Sequence, residues 1–133
     1  MAFQVLKSNV AAQSASASAS FTQEIGVVPS TESETSWTVV RASITTQTAV
    51  TGAGASGAGA TANIRQIHGG TGGTITTLAT QQFKTGTNTV AEEEFTFTIS
   101  SSSVAAGDVI DFQWVQGGTG LALPASEVQV EIE

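Results

Sequence analysis

The sequence predicts an all-β chain: a single-domain antiparallel β-sandwich, jelly-roll-like, preceded by an extended N-terminal arm. Three observations carry that expectation. Apolar and polar residues alternate with period two through the last forty positions. Turn chemistry built on Gly, Asn, Asp and Pro recurs at short intervals between such runs. No apolar period of 3.6 residues persists for three turns, because Gly, Ser and Thr interrupt every candidate helix.

Taken in order, residues 1–20 differ from the remainder. Phe3 and Val5 alternate with Gln4, but Ser14-Ala15-Ser16-Ala17-Ser18-Ala19-Ser20 offers no side chain larger than a methyl to any core. The segment reads as an arm that orders on a neighbouring subunit or, alternatively, as a frayed terminus or an edge strand of the same domain. Phe3, Val5, Leu6, Ser14, Ala15, Ser16 and Ala17 are its candidate partner-binding residues. On the arm reading, deleting residues 1–20 leaves the fold of residues 21–133 intact.

The domain begins with Phe21, Ile25, Val27 and Val28, followed by a polar loop after Pro29. Trp37 opens a long strand whose phase is inconsistent: Trp37 and Val39 lie on one side, Val40, Ala42 and Ile44 on the other. Either both faces are covered or a bulge switches the phase. Thr51-Gly-Ala-Gly-Ala-Ser-Gly-Ala-Gly-Ala60 is a single silk-like copy and reads as a loop, since repeat architectures need several copies to bury a shared face. Strand signals resume over 62–67, pause at His68-Gly-Gly-Thr-Gly-Gly73, run over 74–83, and stop at the turn Lys84-Thr-Gly-Thr-Asn88.

Three closing strands supply most of the expected core. Phe95, Phe97 and Ile99 share one face of the first; Ile110, Phe112 and Trp114 share one face of the second, with Asp111 and Gln113 on its wet side; Val128, Val130 and Ile132 share one face of the third. A length of 133 residues suits one such domain.

Composition excludes several function classes. There is no cysteine, so disulfides and thiolate metal sites are ruled out. Only Lys7, Arg41, Arg65 and Lys84 are basic, against eleven acidic residues and a net charge of −7. Phosphate binding relies on clustered Lys or Arg, so neither nucleic acid nor a polyanionic membrane surface is an expected partner. The opening residues lack the basic and long apolar regions of a secretory signal, and an intracellular product is expected.

Candidate catalytic groups do not assemble into a mechanism on paper. His68 is the sole histidine, with no Gly-x-Ser-x-Gly elbow to supply a nucleophile. Glu92-Glu93-Glu94 alternate in direction if extended, so they cannot converge on a hard cation. Asp108, directly after Gly107, reads as a turn residue bonding local backbone. The glycine clusters at 69–73 and 117–120 lack the helix and lysine of a phosphate loop. Trp37 and Trp114 could stack on sugars if exposed, but Trp114 shares its phase with Ile110 and Phe112 and is assigned to the core. No catalytic, cofactor-binding or metal-ligating residue is therefore expected, and the chain is read as non-enzymatic.

Ala106-Gly107-Asp108-Val109-Ile110, Gly118-Thr119-Gly120-Leu121-Ala122-Leu123-Pro124 and Val128-Gln129-Val130-Glu131-Ile132 resemble the closing segment of small jelly-roll head decoration proteins of tailed bacteriophages. That resemblance implies a virion structural protein, made in the host cytoplasm, that binds the major capsid protein lattice on the capsid exterior, commonly as a homotrimer, and stabilises the shell. It also implies a use for the N-terminal arm in reaching a neighbour. The competing expectation is a receptor- or glycan-binding β-sandwich of a tail fibre or adhesin, which would expose aromatic rings.

Overall fold

The structure, a computed structural model, describes residues 2–69 and 73–133. Among them there is no helix, and nine strands form: β1 (Gln4–Val10), β2 (Ser20–Val27), β3 (Ser36–Thr46), β4 (Ala60–Ile67), β5 (Ile75–Phe83), β6 (Glu94–Thr96), β7 (Ser103–Ala105), β8 (Val109–Gln116) and β9 (Ser126–Ile132). They make two antiparallel sheets. The first runs β1-β9-β3-β6, with β7 also on β3, and the second runs β2-β8-β4-β5. Successive strands change sheet until β4, and the last two return to pair between the early ones. This nested winding of a two-sheet sandwich is that of a jelly roll, as the sequence predicts.

Alternation places the core between the sheets. Val128, Val130 and Ile132 from β9 face Ile110, Phe112 and Trp114 from β8, and all six are fully buried. Phe83 from β5 touches both Trp114 and Phe95 of β6, with ring centroids 5.5 and 5.4 Å apart, and so joins the two sheets. Trp37 and Trp114 are both buried, and their indole N–H groups donate to the carbonyls of Pro29 and Leu121.

The phase change in β3 is a bulge. Its register against β9 shifts between Val39 and Arg41, leaving Val40 exposed while Trp37, Val39, Ala42 and Ile44 all point inward. The strand expected around Phe95, Phe97 and Ile99 is shorter than its alternation suggests. After β6 the chain leaves β3 and crosses to β5: Ile99 bridges Ala79, and the Ser100 and Ser101 N–H groups donate to the Leu78 carbonyl. This excursion closes one long side of the sandwich by main-chain bonds. On the other side, Leu6 of β1 packs over Gly26 of β2, where an added Cβ would sit 3.4 Å from Leu6 Cδ2.

The structure differs from the sequence expectation at the N-terminus. Instead of extending as an arm, residues 4–10 pair along their whole length with β9, and Val10 is buried. The period-two pattern of this stretch therefore belongs to an edge strand, the alternative reading. Residues 11–19 then cross to the second sheet, held by main-chain bonds of Gln13 with Leu123 and of Ser18 with Gly117 and by one side chain. Gln116, at the end of β8, accepts from the Ser16 and Leu121 N–H groups at 2.8 and 3.0 Å and donates to the Ser14 carbonyl at 2.8 Å. Gly120, with φ +70°, lets the loop approach: a Cβ there would lie 2.7 Å from Ser16 N. The low-complexity crossover is fixed from outside because its own side chains are too small to fix it. Removing residues 1–20 is consequently expected to uncover β9 and destabilise the fold rather than leave it intact.

Gln116→Leu is expected to cost about 1–3 kcal/mol, because it strands three backbone groups of the crossover and the following loop. Urea unfolding of the variant beside the parent chain checks this.

Candidate functional site

A shallow depression of about 290 Å³ lies between the β1 and β9 ends and the residues before β6, lined by Asn9, Thr46, Gln47, Glu92 and Glu127 among others. Among the described residues, no three His, Asp or Glu side chains are placed to hold a metal ion. His68 Nδ1 lies 3.4 Å from Asp108 Oδ1 and 3.4 Å from Gln66 Nε2, and no hydroxyl of the described residues is hydrogen-bonded to its ring. Gly70, Thr71 and Gly72, the middle of the glycine cluster read as a turn, lie outside the described residues.

Asp108 is a turn residue whose carboxylate is buried. Gly107, at φ +89°, turns the chain, and Asp108 Oδ2 accepts from the Ala105 N–H at 2.8 Å and from the Gln66 side-chain amide. Burial by itself would push this carboxyl up. The hydrogen bonds from Ala105 and Gln66, helped by His68 and the Gly69 N–H, outweigh it and hold the pKa below the ordinary value.

What the fold does build is two outward faces of different character. On the first sheet, β9 turns Glu127, Gln129 and Glu131 outward, opposite Asn9, Lys7 and Val5 of β1. Arg41 pairs with Glu94 on the same face. Phe3, just before β1, and Val5 are exposed there. Among the other expected contact residues, Leu6 is half-buried against Gly26, Ser14 and Ser16 are held by Gln116 through their backbones, and Ala15 and Ala17 are exposed. The seven residues are therefore not brought into one patch. Phe3 and Val5 belong to an edge-strand face, and the serine–alanine stretch belongs to a crossover.

The second sheet's outward face is organised in cross-strand rows. One row is apolar across all four strands: Val27 opposes Val109, Val109 opposes Ile67, and Ile67 opposes Ile75. Val27 and Ile75 are 50% and 54% exposed. The next row is Glu24, Asp111, Arg65 and Thr77. Here Arg65 Nε and Nη2 grip Asp111 at 2.8 and 2.7 Å, and Asp111 keeps only 5% of its side chain exposed. The Asp111 carboxylate, expected on a wet face, is thus on the expected side but covered. The hydrogen bond to Asp111 raises the Arg65 pKa above its already high value. In the row beyond, Asn63 donates to Gln113 at 3.1 Å and accepts from the Thr80 hydroxyl at 2.7 Å.

This face was not legible from the sequence. Val27, Val109, Ile67 and Ile75 are each one apolar residue in a different run, and only the register sets them side by side. Comparison with protein-family models, with curated proteins and with solved structures finds no match.

Arg65→Ala is expected to destabilise the chain by about 3 kcal/mol, since it leaves Asp111 covered and unpaired, whereas replacing the pair as R65M with D111L costs less than that single change. A double-mutant cycle by chemical denaturation measures both. For Asp108, the folded pKa lies below the unfolded one, so its contribution is full above about pH 3.9 and is lost as pH falls through the folded value. D108N is expected to weaken the chain at neutral pH and to reduce its acid-dependent loss of stability, read from denaturation midpoints between about pH 2 and pH 7.

Proposed function

We propose that this chain is a non-enzymatic structural protein that decorates and stabilises the outer surface of a tailed-phage capsid, binding the major capsid protein lattice as a homo-oligomer. The observation that carries this reading is where the exposed large apolar side chains lie. Phe3, Val5, Val27, Val40 and Ile75 stand on strand-built faces or beside an edge, Val90 stands on the loop before β6, and none of them lines the depression between the β1 and β9 ends. Broad faces of this kind suit protein surfaces. A lattice presenting many equivalent sites would add avidity to weak single contacts. The acidic character of the chain, with its basic residues scattered, fits a site outside the shell and away from packaged nucleic acid. The glycan-binding alternative has less behind it, because both tryptophans are buried and Tyr is absent.

Density-gradient fractionation of a lysate of the source, with copies counted by mass spectrometry, tests the reading. Hundreds of copies in both complete particles and tailless heads are expected. A few copies confined to tail-bearing bands would favour an adhesin, and a chain found only in the soluble fraction would remove the virion assignment. Substituting Phe3 and Val5 together by Thr is expected to leave the circular dichroism unchanged and to lower particle occupancy several-fold.

A further inference from the structure

The outward face of the second sheet has the properties of a protein interface before any partner is present. The polar side chains at its centre are already spent on one another, Arg65 on Asp111 and Asn63 on both Gln113 and Thr80, while Glu24 and Thr77 flank them at the edges. Covering them with protein therefore strands few donors or acceptors, which is the usual cost of burying a polar surface. Beside them runs the four-residue apolar row.

Charge says which partner fits. The chain carries net charge −7, so a second copy would be repelled from most of its surface, including the acidic β9 face. The second sheet's face is different, because Arg65 neutralises Asp111 and Glu24 is the only other charge in its rows.

The register adds a symmetry argument. The four strands run in the order β2-β8-β4-β5, so the midline falls between β8 and β4. A two-fold axis laid along that midline, just above the face, returns every row onto itself. It sets Val27 opposite the partner copy's Ile75, Val109 opposite Ile67, Asp111 opposite Arg65, and Glu24 opposite the uncharged Thr77. Apolar meets apolar, each acid of the central pair meets a guanidinium, and no two carboxylates face each other.

We propose that this face is the seat of a second copy of the chain, packed sheet to sheet about that two-fold axis as an isologous dimer. The pairing stands independently of the virion assignment and leaves β1 and the acidic β9 face free. Four strands about 4.8 Å apart and four rows about 6.7 Å apart make a footprint on the order of 500 Å² per copy. That is below the roughly 800 Å² of a standard interface, which places the dimer among weak, reversible contacts.

Sedimentation velocity of the purified full chain, from about one to several hundred micromolar, tests this across the range of weak, reversible association. The parent chain is expected to pass from monomer to dimer. V27K and I75D, each at a site half exposed in the monomer, are each expected to weaken the dimer by on the order of a hundredfold, because every substitution enters twice across the axis. The combination V27K with I75D is expected to restore it. The two positions lie at opposite edges of one sheet, about 14 Å apart by strand spacing, so rescue can come only from a second copy. V27T and I75T, which keep the β-branched shape, give the same weakening in smaller measure should a charged variant fail to fold. A parent chain that stays monomeric, a trimer, single variants that associate like the parent, or a double variant as weak as the singles would overturn the proposal. None of these outcomes bears on whether the chain is found on particles.

Discussion

The placement of β8 between β2 and β4 is the constraint on which the rest of this molecule depends. Its inward side chains, Ile110, Phe112 and Trp114, are fully buried and meet β9 across the sandwich. Its outward Asp111 is gripped by Arg65 of β4. Its two ends carry the side chains that tie the connections down. Asp108, just before it, closes the turn from β7 and binds Gln66, while Gln116, its last residue, clamps the crossover from β1 to β2. Its outward face mixes Val109 and Val115 with Asp111 and Gln113. Here its polar positions also take over the work that small side chains elsewhere cannot do.

That division of labour follows from composition. Long stretches are Ser, Thr, Ala and Gly, residues that suit close backbone approach and contribute little to a core. The core is therefore concentrated in a few large side chains, with Phe83, Phe95, Phe112 and Trp114 in aromatic contact between the sheets. The remaining backbone is secured by main-chain pairing and a handful of buried amides and hydroxyls. Thr46 and Thr89, hydrogen-bonded to each other at 2.8 Å inside the protein, are another instance, and Thr89 also accepts from the Val50 N–H. Among the described residues no buried side-chain nitrogen or oxygen lacks a partner. A small-residue chain can afford few such omissions, because it has little apolar burial to offset them.

The two sheets meet solvent differently, and this contrast bears most on function. The first sheet presents glutamates on β9 beside an edge strand with exposed Phe3 and Val5. The second presents an apolar row beside central polar side chains, Arg65 with Asp111 and Asn63 with Gln113, that satisfy one another. Both sheet edges near the N-terminus belong to this contrast: β1 carries the outward Lys7, and β2 has a register shift between Glu24 and Gly26. A charge and an irregular strand both discourage uncontrolled pairing at open edges, leaving the faces to make specific contacts.

The sequence by itself determined the fold class, the approximate strands and which side chains of the closing strands point inward. Period-two alternation is a local property that survives any choice of partner, as Val128, Val130 and Ile132 illustrate. It also located the irregularity in β3, although not that a bulge was the solution. Only the tertiary structure decided which strands are neighbours, because pairing joins residues far apart in the chain. Asp111 is covered by Arg65, forty-six positions away, and Ser14 is held by Gln116, one hundred and two positions away. The same reason turned the expected arm into an edge strand, since nothing within residues 4–10 reveals that β9 lies ready to pair with them. The apolar row on the second sheet exists only once four registers are set, and no single stretch of the chain contains it.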